Sequence, residues 1–202
     1  MLLVGLTGGL GTGKSTVARM LSERGAVVVD ADDLARRALD PGTPAASQVR
    51  ERFGDEVLTP EGAIDRAALA RVVFADEEKR RALESITHPA VFQTLMETVE
   101  AHRSSDDVVV FDAALIVETG FHEACDVLVV VTAPVEQQVE RVTRDRGMDE
   151  GEARARIAVQ SSPGEREAVA DVVIRNDGDL RSLEQQVDTL WKDLRGRAAR
   201  RG

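Results

Sequence analysis

The sequence of 202 residues has a single cysteine, no tyrosine and only 3% aromatic residues. Cys125 alone cannot form an intramolecular disulfide, and so few rings argue against an aromatic stacking platform for single-stranded nucleic acid. The sequence also has no apolar run close to the length of a membrane span, and no basic, apolar leader at its start. These absences predict a soluble, cytoplasmic protein.

An excess of basic charge is also missing. The net charge is −10, with 36 acidic against 26 basic residues, which argues against a whole-surface attraction to nucleic acid or to an anionic membrane. We therefore expect neither as a partner, and any anion site must be a local basic pocket. Because 43% of the residues are hydrophobic, the chain can bury a sizeable core, and its length suits one domain over 1–202 with inserted lobes.

A glycine-rich stretch near the start carries the clearest motif. Residues 5–16 read GLTGGLGTGKST, in which Gly8, four residues and then Gly13-Lys14-Ser15 match G-x-x-x-x-G-K followed by Ser or Thr. In this motif backbone amides surround phosphates, the lysine reaches the β and γ groups, and the hydroxyl meets Mg²⁺. An apolar run precedes the stretch and a helical pattern follows it, so the sequence predicts a nucleoside triphosphate site.

Further apolar runs predict the fold class. A first strand over 2–6 is joined by valine-rich runs that suit buried parallel strands covered by helices: 26–29, 108–111, 127–131 and 172–174. Because ligands lie beyond the carboxyl ends of such strands, Asp30, Asp32 and Asp112 are expected near the glycine loop. The sequence thus predicts an α/β protein with a parallel sheet.

Helical patterns fill the two longest gaps between strands. The first insertion, about 31–104, has predicted helices over 32–39, 45–53, 65–74, 76–86 and 89–102, with Asp65 and Asp76 as N-caps. The second insertion, about 136–168, is rich in charge and contains Arg141, Arg144, Arg146, Arg154, Arg156 and Arg166. An apolar stripe from Leu180 to Leu194 predicts a last helix in which Trp191 packs against the core.

Carboxylates beyond the strands have two interpretations each. In VVDADD, residues 28–33, a carboxylate could take a proton from an acceptor hydroxyl or hold a metal-bound water. Alternatively, Asp32 or Asp33 is the N-cap of the next helix. Asp112 resembles the aspartate that P-loop proteins use near Mg²⁺, although an acidic residue at a strand end is common.

Basic side chains are equally open to two interpretations. Arg141 and Arg144 lie three residues apart on one predicted helical face, where guanidinium groups could close over phosphates. Both could instead belong to a solvated face that also carries acidic residues. His88 precedes a proline that is expected to displace it from helical geometry and to start a helix, and a lone histidine there is more often structural. RNDG, residues 175–178, is by itself a turn.

An ordered set of segments extends over nearly the whole sequence: GLTGGLGTGKST, VVDADDLARRAL, THPAV, DAALIVE, RVTRD, ARIAVQ and ADVVIRNDG. This set resembles the dephospho-coenzyme A kinase family. The resemblance implies a P-loop fold similar to that of nucleoside monophosphate kinases, with a parallel five-stranded sheet, a helical acceptor lobe and a lid. It also implies transfer of the γ-phosphate of ATP, with Mg²⁺, to the ribose 3′-hydroxyl of dephospho-coenzyme A.

The resemblance and the glycine motif together assign the site residues. Catalysis is assigned to Asp32, Lys14 and Arg141, and Mg²⁺ binding to Ser15 and Asp112. The expected nucleotide-binding residues are Gly9, Gly11, Thr12, Gly13, Lys14, Ser15, Thr16, Arg141, Asn176 and Gly178, with Gln160 near the lid. The expected acceptor-binding residues are Asp32, Arg36, His88, Leu115 and Glu118.

The sequence differs from the family pattern at one place, and two alternative functions have to be considered. The family usually reads Pro-Leu-Leu after the third strand, whereas this sequence reads Ala114-Leu115-Ile116. Another metabolite or nucleotide kinase would share the core and differ in the acceptor lobe. A regulatory GTPase or ATPase switch is disfavoured, because the segment after the last strand lacks an Asn-Lys-x-Asp guanine signature. A monomer or a weak homo-oligomer is expected.

Overall fold

The computed structural model describes residues 1–74 and 76–201. In this part of the chain one five-stranded parallel sheet has the strand order β2-β3-β1-β4-β5. The strands are β1 Leu2–Gly8, β2 Val27–Asp30, β3 Val108–Asp112, β4 Val127–Thr132 and β5 Val172–Arg175. Every strand predicted from an apolar run is present, and the α/β fold class is confirmed.

The helices of the described residues include those predicted from periodicity, except that the two predicted over 76–86 and 89–102 form one helix. They are α1 Lys14–Glu23, α2 Ala31–Arg37, α3 Pro44–Phe53, α4 Arg66–Phe74, α5 Glu77–His102, α6 Val135–Arg146, α7 Glu150–Ala158, α8 Pro163–Val169 and α9 Leu180–Ala199. Short 3₁₀ turns lie at Asp55–Val57 and Phe121–Ala124. Within residues 1–74 and 76–201, no helix combines the length and apolar character that crossing a bilayer requires.

The sheet places the glycine stretch at its centre. β1 pairs in parallel with β3, where Leu6 aligns with Asp112, and with β4, where Gly8 aligns with Val131. Residues that follow β1 therefore emerge between the carboxyl ends of two neighbouring strands, which is where open parallel sheets bind ligands.

A large apolar cluster supports this central strand. Side chains of β1, β3 and β4 are fully or almost fully buried, as are Val17 and Leu21 of α1 and Val187 and Leu194 of α9. Trp191 is partly buried against the same cluster, which confirms its predicted packing role. Valine-rich strands suit this position because both faces of a parallel sheet are covered.

The chain divides into two compact units. One contains residues 1–29 and 99–202, and the other contains residues 30–98. The second unit has a core of its own: Ala38, Leu39, Ala45, Val49, Phe53, Val57 and Leu69. The apolar positions of α3 and α4 meet in this core, as their helical spacing predicts.

The helix caps confirm two predictions and correct one. Asp65 Oδ1 accepts hydrogen bonds from the amides of Ala67 and Ala68, and Asp76 Oδ1 caps α5 in the same way. The prediction that Asp32 or Asp33 caps α2 is wrong, because Asp30 is the cap and its Oδ1 accepts from the Asp33 amide at 3.0 Å. The helix begins directly after β2, so Asp30 is the last residue with extended dihedrals.

Pro89 does not start a helix, contrary to the sequence prediction. It lies inside α5, which runs without interruption through His88. A proline in a helix interior removes one backbone hydrogen bond, but buried contacts can outweigh that local cost. Here Val91 and Leu95 are 5% and 0% exposed, and Ile86 packs against the core of the second unit. The packing therefore keeps the two predicted helices joined.

Candidate functional site

The glycine loop connects β1 to α1 through residues 9–13. Gly11 and Gly13 have φ values of 75° and 90°, in the left-handed region that other residues rarely adopt. A Cβ on Gly8 would lie 2.6 Å from the carbonyl oxygen of Val131, and one on Gly11 would lie 2.5 Å from that of Gln138. These glycines are therefore required by the chain itself, and not only by the close approach of a ligand.

Side chains from distant segments hold this loop. The amide of Leu10 donates to Gln160 Oε1 at 2.9 Å, and Asn176 Nδ2 donates to the carbonyl of Thr12 at 2.9 Å. Thr12 also closes the loop on itself, since its hydroxyl donates to the Gly9 carbonyl at 2.8 Å. Side-chain hydrogen bonds from distant segments therefore hold the loop in place, which is the preorganisation that an electrostatic site needs.

Lys14, Ser15 and Thr16 form the first turn of α1. The first amides of a helix have no acceptor within it, and the helix dipole places partial positive charge there, so this turn suits an anion. Lys14 Nζ forms an ion pair with Asp112 Oδ1, and their side chains are 16% and 4% exposed. The structure thus brings together the predicted phosphate-binding lysine and the predicted metal-associated aspartate.

Arg141 and Arg144 differ in their surroundings, although both lie on α6. Arg141 Nη2 donates to the Asn176 carbonyl at 2.8 Å and to Gln137 Oε1 at 3.0 Å, while Nη1 donates to the Gly11 carbonyl at 3.4 Å. The Arg144 side chain is 64% exposed and pairs with Asp145. Arg141 therefore contacts the glycine loop, whereas Arg144 lies on a solvated face of α6.

The segment after β5 also reaches the loop. The Asn176 backbone amide donates to the Thr132 carbonyl at 2.8 Å, and its side-chain Nδ2 donates to the Thr12 carbonyl at 2.9 Å. Gln137 Nε2 donates to the Asp177 carbonyl at 3.1 Å. Gly178 is exposed and lies just before Asp179, the cap of α9. RNDG is thus a turn that also supports the glycine loop.

The turn after β3 has a defined path despite its departure from the family pattern. The Ala113 amide donates to the Leu6 carbonyl at 3.1 Å, and the Thr7 hydroxyl donates to the Ala114 carbonyl at 3.0 Å. Leu115 is 43% exposed, whereas Ile116 is 1% exposed. Hydrogen bonds from the central strand therefore hold the position where the family usually has proline.

Glu118 lies at the end of this turn and contacts the second charged insertion. Its Oε1 accepts from the Ser161 hydroxyl at 2.7 Å and from Arg166 Nη2 at 3.2 Å. Burial alone would raise the pKa of Glu118, but the Ser161 hydrogen bond and the charge of Arg166 outweigh it and hold the pKa below its ordinary value. Glu118 is therefore ionised at neutral pH.

Arg166 and Ser161 lie beside the glycine loop, although nothing in the sequence distinguishes them from their neighbours. Arg166 is one of several arginines in a charged insertion, and most of the others lie at the surface, whereas Arg166 is 4% exposed. A small cavity beside the loop is lined by Gly9, Thr12, Gln138, Gln160, Ser161 and Arg166. Only the packing of α8 shows that this arginine belongs to the site.

Asp32, Arg36 and His88 belong to the unit of residues 30–98. Asp32 is exposed in the first turn of α2, and within the described residues its carboxylate has no hydrogen bond or ion pair. Arg36 is exposed in the last turn of α2. His88 makes an edge-to-face contact with Phe92 in α5, with ring centroids 6.2 Å apart.

Comparison with known families gives a match over most of the chain. A family model described as dephospho-CoA kinase matches residues 2–182. A dephospho-CoA kinase of Thermobifida fusca is 49% identical over 197 residues, which cover 98% of each chain. Similarity of this extent includes the glycine loop, both insertions and the turn after β3.

Solved structures agree with these sequence matches. A protein of Thermus thermophilus superimposes with a TM-score of 0.82 and 35% identity, covering 96% of this chain and 97% of its own. A structure described as dephospho-CoA kinase from Campylobacter jejuni has a TM-score of 0.72 and covers the same shares of both chains. At 23% identity the latter supports the fold alone.

Proposed function

The chain belongs to the dephospho-CoA kinase family, and from this premise we propose that it transfers the γ-phosphoryl group of ATP to the ribose 3′-hydroxyl of dephospho-coenzyme A. The family catalyses the last step of coenzyme A biosynthesis, with ATP as the phosphate donor. The observation that carries the proposal is the fixed glycine loop, whose Lys14 is paired with Asp112 at the end of the neighbouring strand.

The donor site would consist of the glycine loop and the first turn of α1. The amides of Gly9, Gly11, Gly13 and the residues after them would surround the phosphates, with Lys14 close to the transferred group. Thr12, Thr16, Asn176 and Gly178 remain predicted nucleotide contacts. Asn176 and Thr12 already bond to each other, which suits residues that shape the pocket.

Ser15 and Asp112 are suited to Mg²⁺. This ion is usually held by one or two carboxylates together with substrate phosphates and water, rather than by an all-protein cage. In residues 1–74 and 76–201, no group of three or more His, Cys, Asp or Glu could hold a metal, so the protein would supply few of the ligands. Bound there, Mg²⁺ would neutralise charge on the β and γ oxygens.

The assignment of the acceptor-binding residues rests on the resemblance to the dephospho-coenzyme A kinase family. We propose that Asp32 accepts the proton of the attacking hydroxyl, and that Arg36, His88, Leu115 and Glu118 contact the acceptor. Within residues 1–74 and 76–201 the Asp32 carboxylate has no hydrogen bond or ion pair, which supports its assignment because a general base must be free to take a proton. The segment of about 31–104 would form the acceptor lobe and the segment of about 136–168 the lid.

Different residues would act on different parts of the phosphoryl transfer. The attacking oxygen forms a bond to the γ-phosphorus as the bond to the β–γ bridging oxygen breaks, and the hydroxyl proton passes to Asp32. Lys14 and Arg141 would stabilise the negative charge on the transferred group and on the leaving ADP. The products are coenzyme A and ADP. A monomeric or weakly associated state and a cytoplasmic location stay predictions.

A coupled assay of ADP formation tests the substrate. The purified chain would be given ATP and Mg²⁺ with dephospho-coenzyme A, adenosine, a nucleoside monophosphate or no acceptor. We expect ADP formation to depend on dephospho-coenzyme A and the product to be coenzyme A by mass spectrometry. Equal turnover with another acceptor would indicate a different metabolite kinase, and rapid hydrolysis without an acceptor would favour a nucleotide switch.

Arg141→Ala is expected to lower kcat by about 10²-fold, because the guanidinium beside the loop would stabilise charge mainly in the transition state. Arg144→Ala is the matched variant, and it should change kcat less than about 2-fold since exposed ion pairs contribute little. Steady-state kinetics and melting curves of both proteins check this. A lower melting temperature of Arg141→Ala with normal turnover of the folded protein would leave Arg141 with a purely structural role.

A further inference from the structure

Arg166 is a buried cation whose hydrogen bonds are incomplete. Its residue exposure is 4%, and its Nη2 donates to Glu118 Oε1 at 3.2 Å. Among the described residues, no group accepts a hydrogen bond from its buried Nε. A guanidinium has five N–H donors, and burying a charge without partners is costly. Within the part of the chain that the structure describes, the bond to Glu118 therefore leaves most of these donors unused.

The unused donors lie next to the glycine loop. A Cβ built on Gly9 would be 3.0 Å from Arg166 Nη1 and 3.3 Å from Gln160 Oε1. Gly9 therefore leaves room for the guanidinium beside the loop backbone. Both residues line the small cavity that also includes Thr12 and Ser161. The cavity, of about 20 Å³, has room for one water-sized group, so a single oxygen of an anion beside Gly9 could enter it and accept from Arg166.

Gly9 lies at the strand end of the loop. The amides of α1 begin at the opposite end, after Gly13, and these suit the inner phosphates of a nucleotide. β1 aligns Leu6 with Asp112, so its end lies beside the carboxylate proposed to meet Mg²⁺. Phosphate oxygens near Gly9 would therefore belong to the terminal group of a triphosphate.

We propose that Arg166 binds the terminal phosphate of ATP, and that Glu118 is a positioning residue that fixes the plane of its guanidinium. Arg166 donates from Nη1 and Nε to the phosphate oxygens, while Nη2 stays on Glu118. This inference rests on the proposed kinase function, because it assigns one more residue to the same donor site.

The Glu118 carboxylate is suited to hold the arginine. It is ionised, and the Ser161 hydroxyl and the Arg166 guanidinium share its Oε1. A bond from one side restricts the fork of the guanidinium, which then presents its remaining donors in a fixed direction. The alternative is that the pair only anchors α8 to the turn after β3, and this alternative makes different predictions.

Binding of ADP and of a non-hydrolysable ATP analogue separates the two roles. Calorimetry with Mg²⁺ would compare the wild type with Arg166→Met, and with Arg154→Met as a control in which an exposed arginine of the same insertion is removed. We expect Arg166→Met to lower the affinity for the ATP analogue by about 10-fold or more, because hydrogen bonds to a charged group typically contribute that much to binding. ADP should bind within about 2-fold of the wild type, because it lacks the terminal phosphate.

A fall in kcat with unchanged affinity for both nucleotides would overturn the proposal, since Arg166 would then act only in the transition state and would not bind the terminal phosphate of bound ATP. An equal loss of affinity for ADP and for the analogue would overturn the proposal, because Arg166 would then only support the glycine loop. Normal binding and normal turnover of the folded variant would overturn it as well.

Two milder variants keep the test open if Arg166→Met does not fold. Arg166→Lys retains the charge but lacks the fork, and Glu118→Gln retains the shape and an acceptor oxygen. Each should reduce the preference for the analogue over ADP by a few fold, about the effect of one weakened hydrogen bond. An unchanged preference in both would contradict the proposal. If wild-type protein binds nucleotide but transfers no phosphate, the kinase function fails while the binding comparison still decides the role of Arg166.

Discussion

Lys14→Ala is expected to lower kcat by about 10²-fold or more, which corresponds to roughly 3 kcal/mol in the barrier. The variant removes the flexible cation closest to the β–γ bridge and leaves the backbone amides of the loop in place. Because those amides still bind phosphates, the affinity for ADP should change much less than kcat. Steady-state kinetics and ADP calorimetry on the same preparation check both parts.

The same substitution should also affect stability, because Lys14 is the ion-pair partner of Asp112. The Asp112 side chain is 4% exposed, so its charge loses a partner in a place that water hardly reaches. We expect the free energy of unfolding to fall by about 1–3 kcal/mol, the cost of removing a partner from a buried polar group. The motif alone would predict normal folding of Lys14→Ala, and the structure changes that expectation.

A double variant separates the two effects. In Lys14→Ala with Asp112→Asn the buried carboxylate that lost the lysine is replaced by a neutral amide, so stability should recover in part while kcat stays low. Lys192→Ala is the matched control, since it removes an exposed lysine from α9. Wild-type turnover in a folded Lys14→Ala protein would contradict the assignment of the glycine loop to phosphoryl transfer.

Local patterns account for the parts of the site that the sequence predicts. The glycine spacing, the strand before it and the helix after it lie within 23 residues, and each follows from backbone needs that a sequence displays directly. The valine-rich strands are equally easy to predict, because a parallel sheet buries both of its faces and its strands are therefore continuously apolar. Asp112 could be placed near the loop from topology alone, and it pairs with Lys14.

Contacts between distant segments account for what the sequence does not predict. Asn176 reaches the Thr12 carbonyl over a separation of 164 residues, and Arg141 reaches the Gly11 carbonyl over 130. Nothing local distinguishes Arg141 from Arg144, since both have acidic neighbours, and their different contacts follow from the side of α6 that faces the loop. Arg166 is similar, because only the packing of α8 buries it.

Two local rules fail for a related reason. Pro89 was expected to begin a helix, yet packing of the residues around it keeps α5 continuous. The cap of α2 was expected at Asp32 or Asp33, yet β2 and α2 join without a connecting loop, so the cap is Asp30. In both cases the sequence gives the right type of element, and the neighbouring structure decides where it begins.

The position of the cap sharpens what Asp32→Asn should do. Asp32 lies in the first turn of α2, where a carboxylate gains about 0.3–1 kcal/mol from the helix dipole. Asparagine keeps the size but loses that charge, so the free energy of unfolding should fall by no more than about 1 kcal/mol. The cap bond of Asp30 is untouched. A large fall in activity could not then be attributed to unfolding of α2.

Asp32→Asn is expected to lower kcat by about 10²-fold or more, because the variant loses the group proposed to take the proton of the acceptor hydroxyl. ATP affinity should change little. Asp33→Asn is a close control, since Asp33 is the next residue in the same turn and pairs with Arg37 at 3.7 Å. The kcat, the acceptor KM, ATP binding and the melting temperature would be measured for both variants.

The size of the fall in kcat distinguishes two roles for Asp32. Phosphoryl transfer passes through a loose transition state that demands little activation of the attacking oxygen, so a fall of only about 10-fold would indicate that Asp32 mainly orients the hydroxyl. In that case the acceptor KM should rise as well, because orientation acts on the bound substrate. If Asp33→Asn is the inactive variant, the catalytic carboxylate lies one residue further along α2. If both variants retain full activity, neither role belongs to this turn, and the assignment taken from the family resemblance is wrong for this residue.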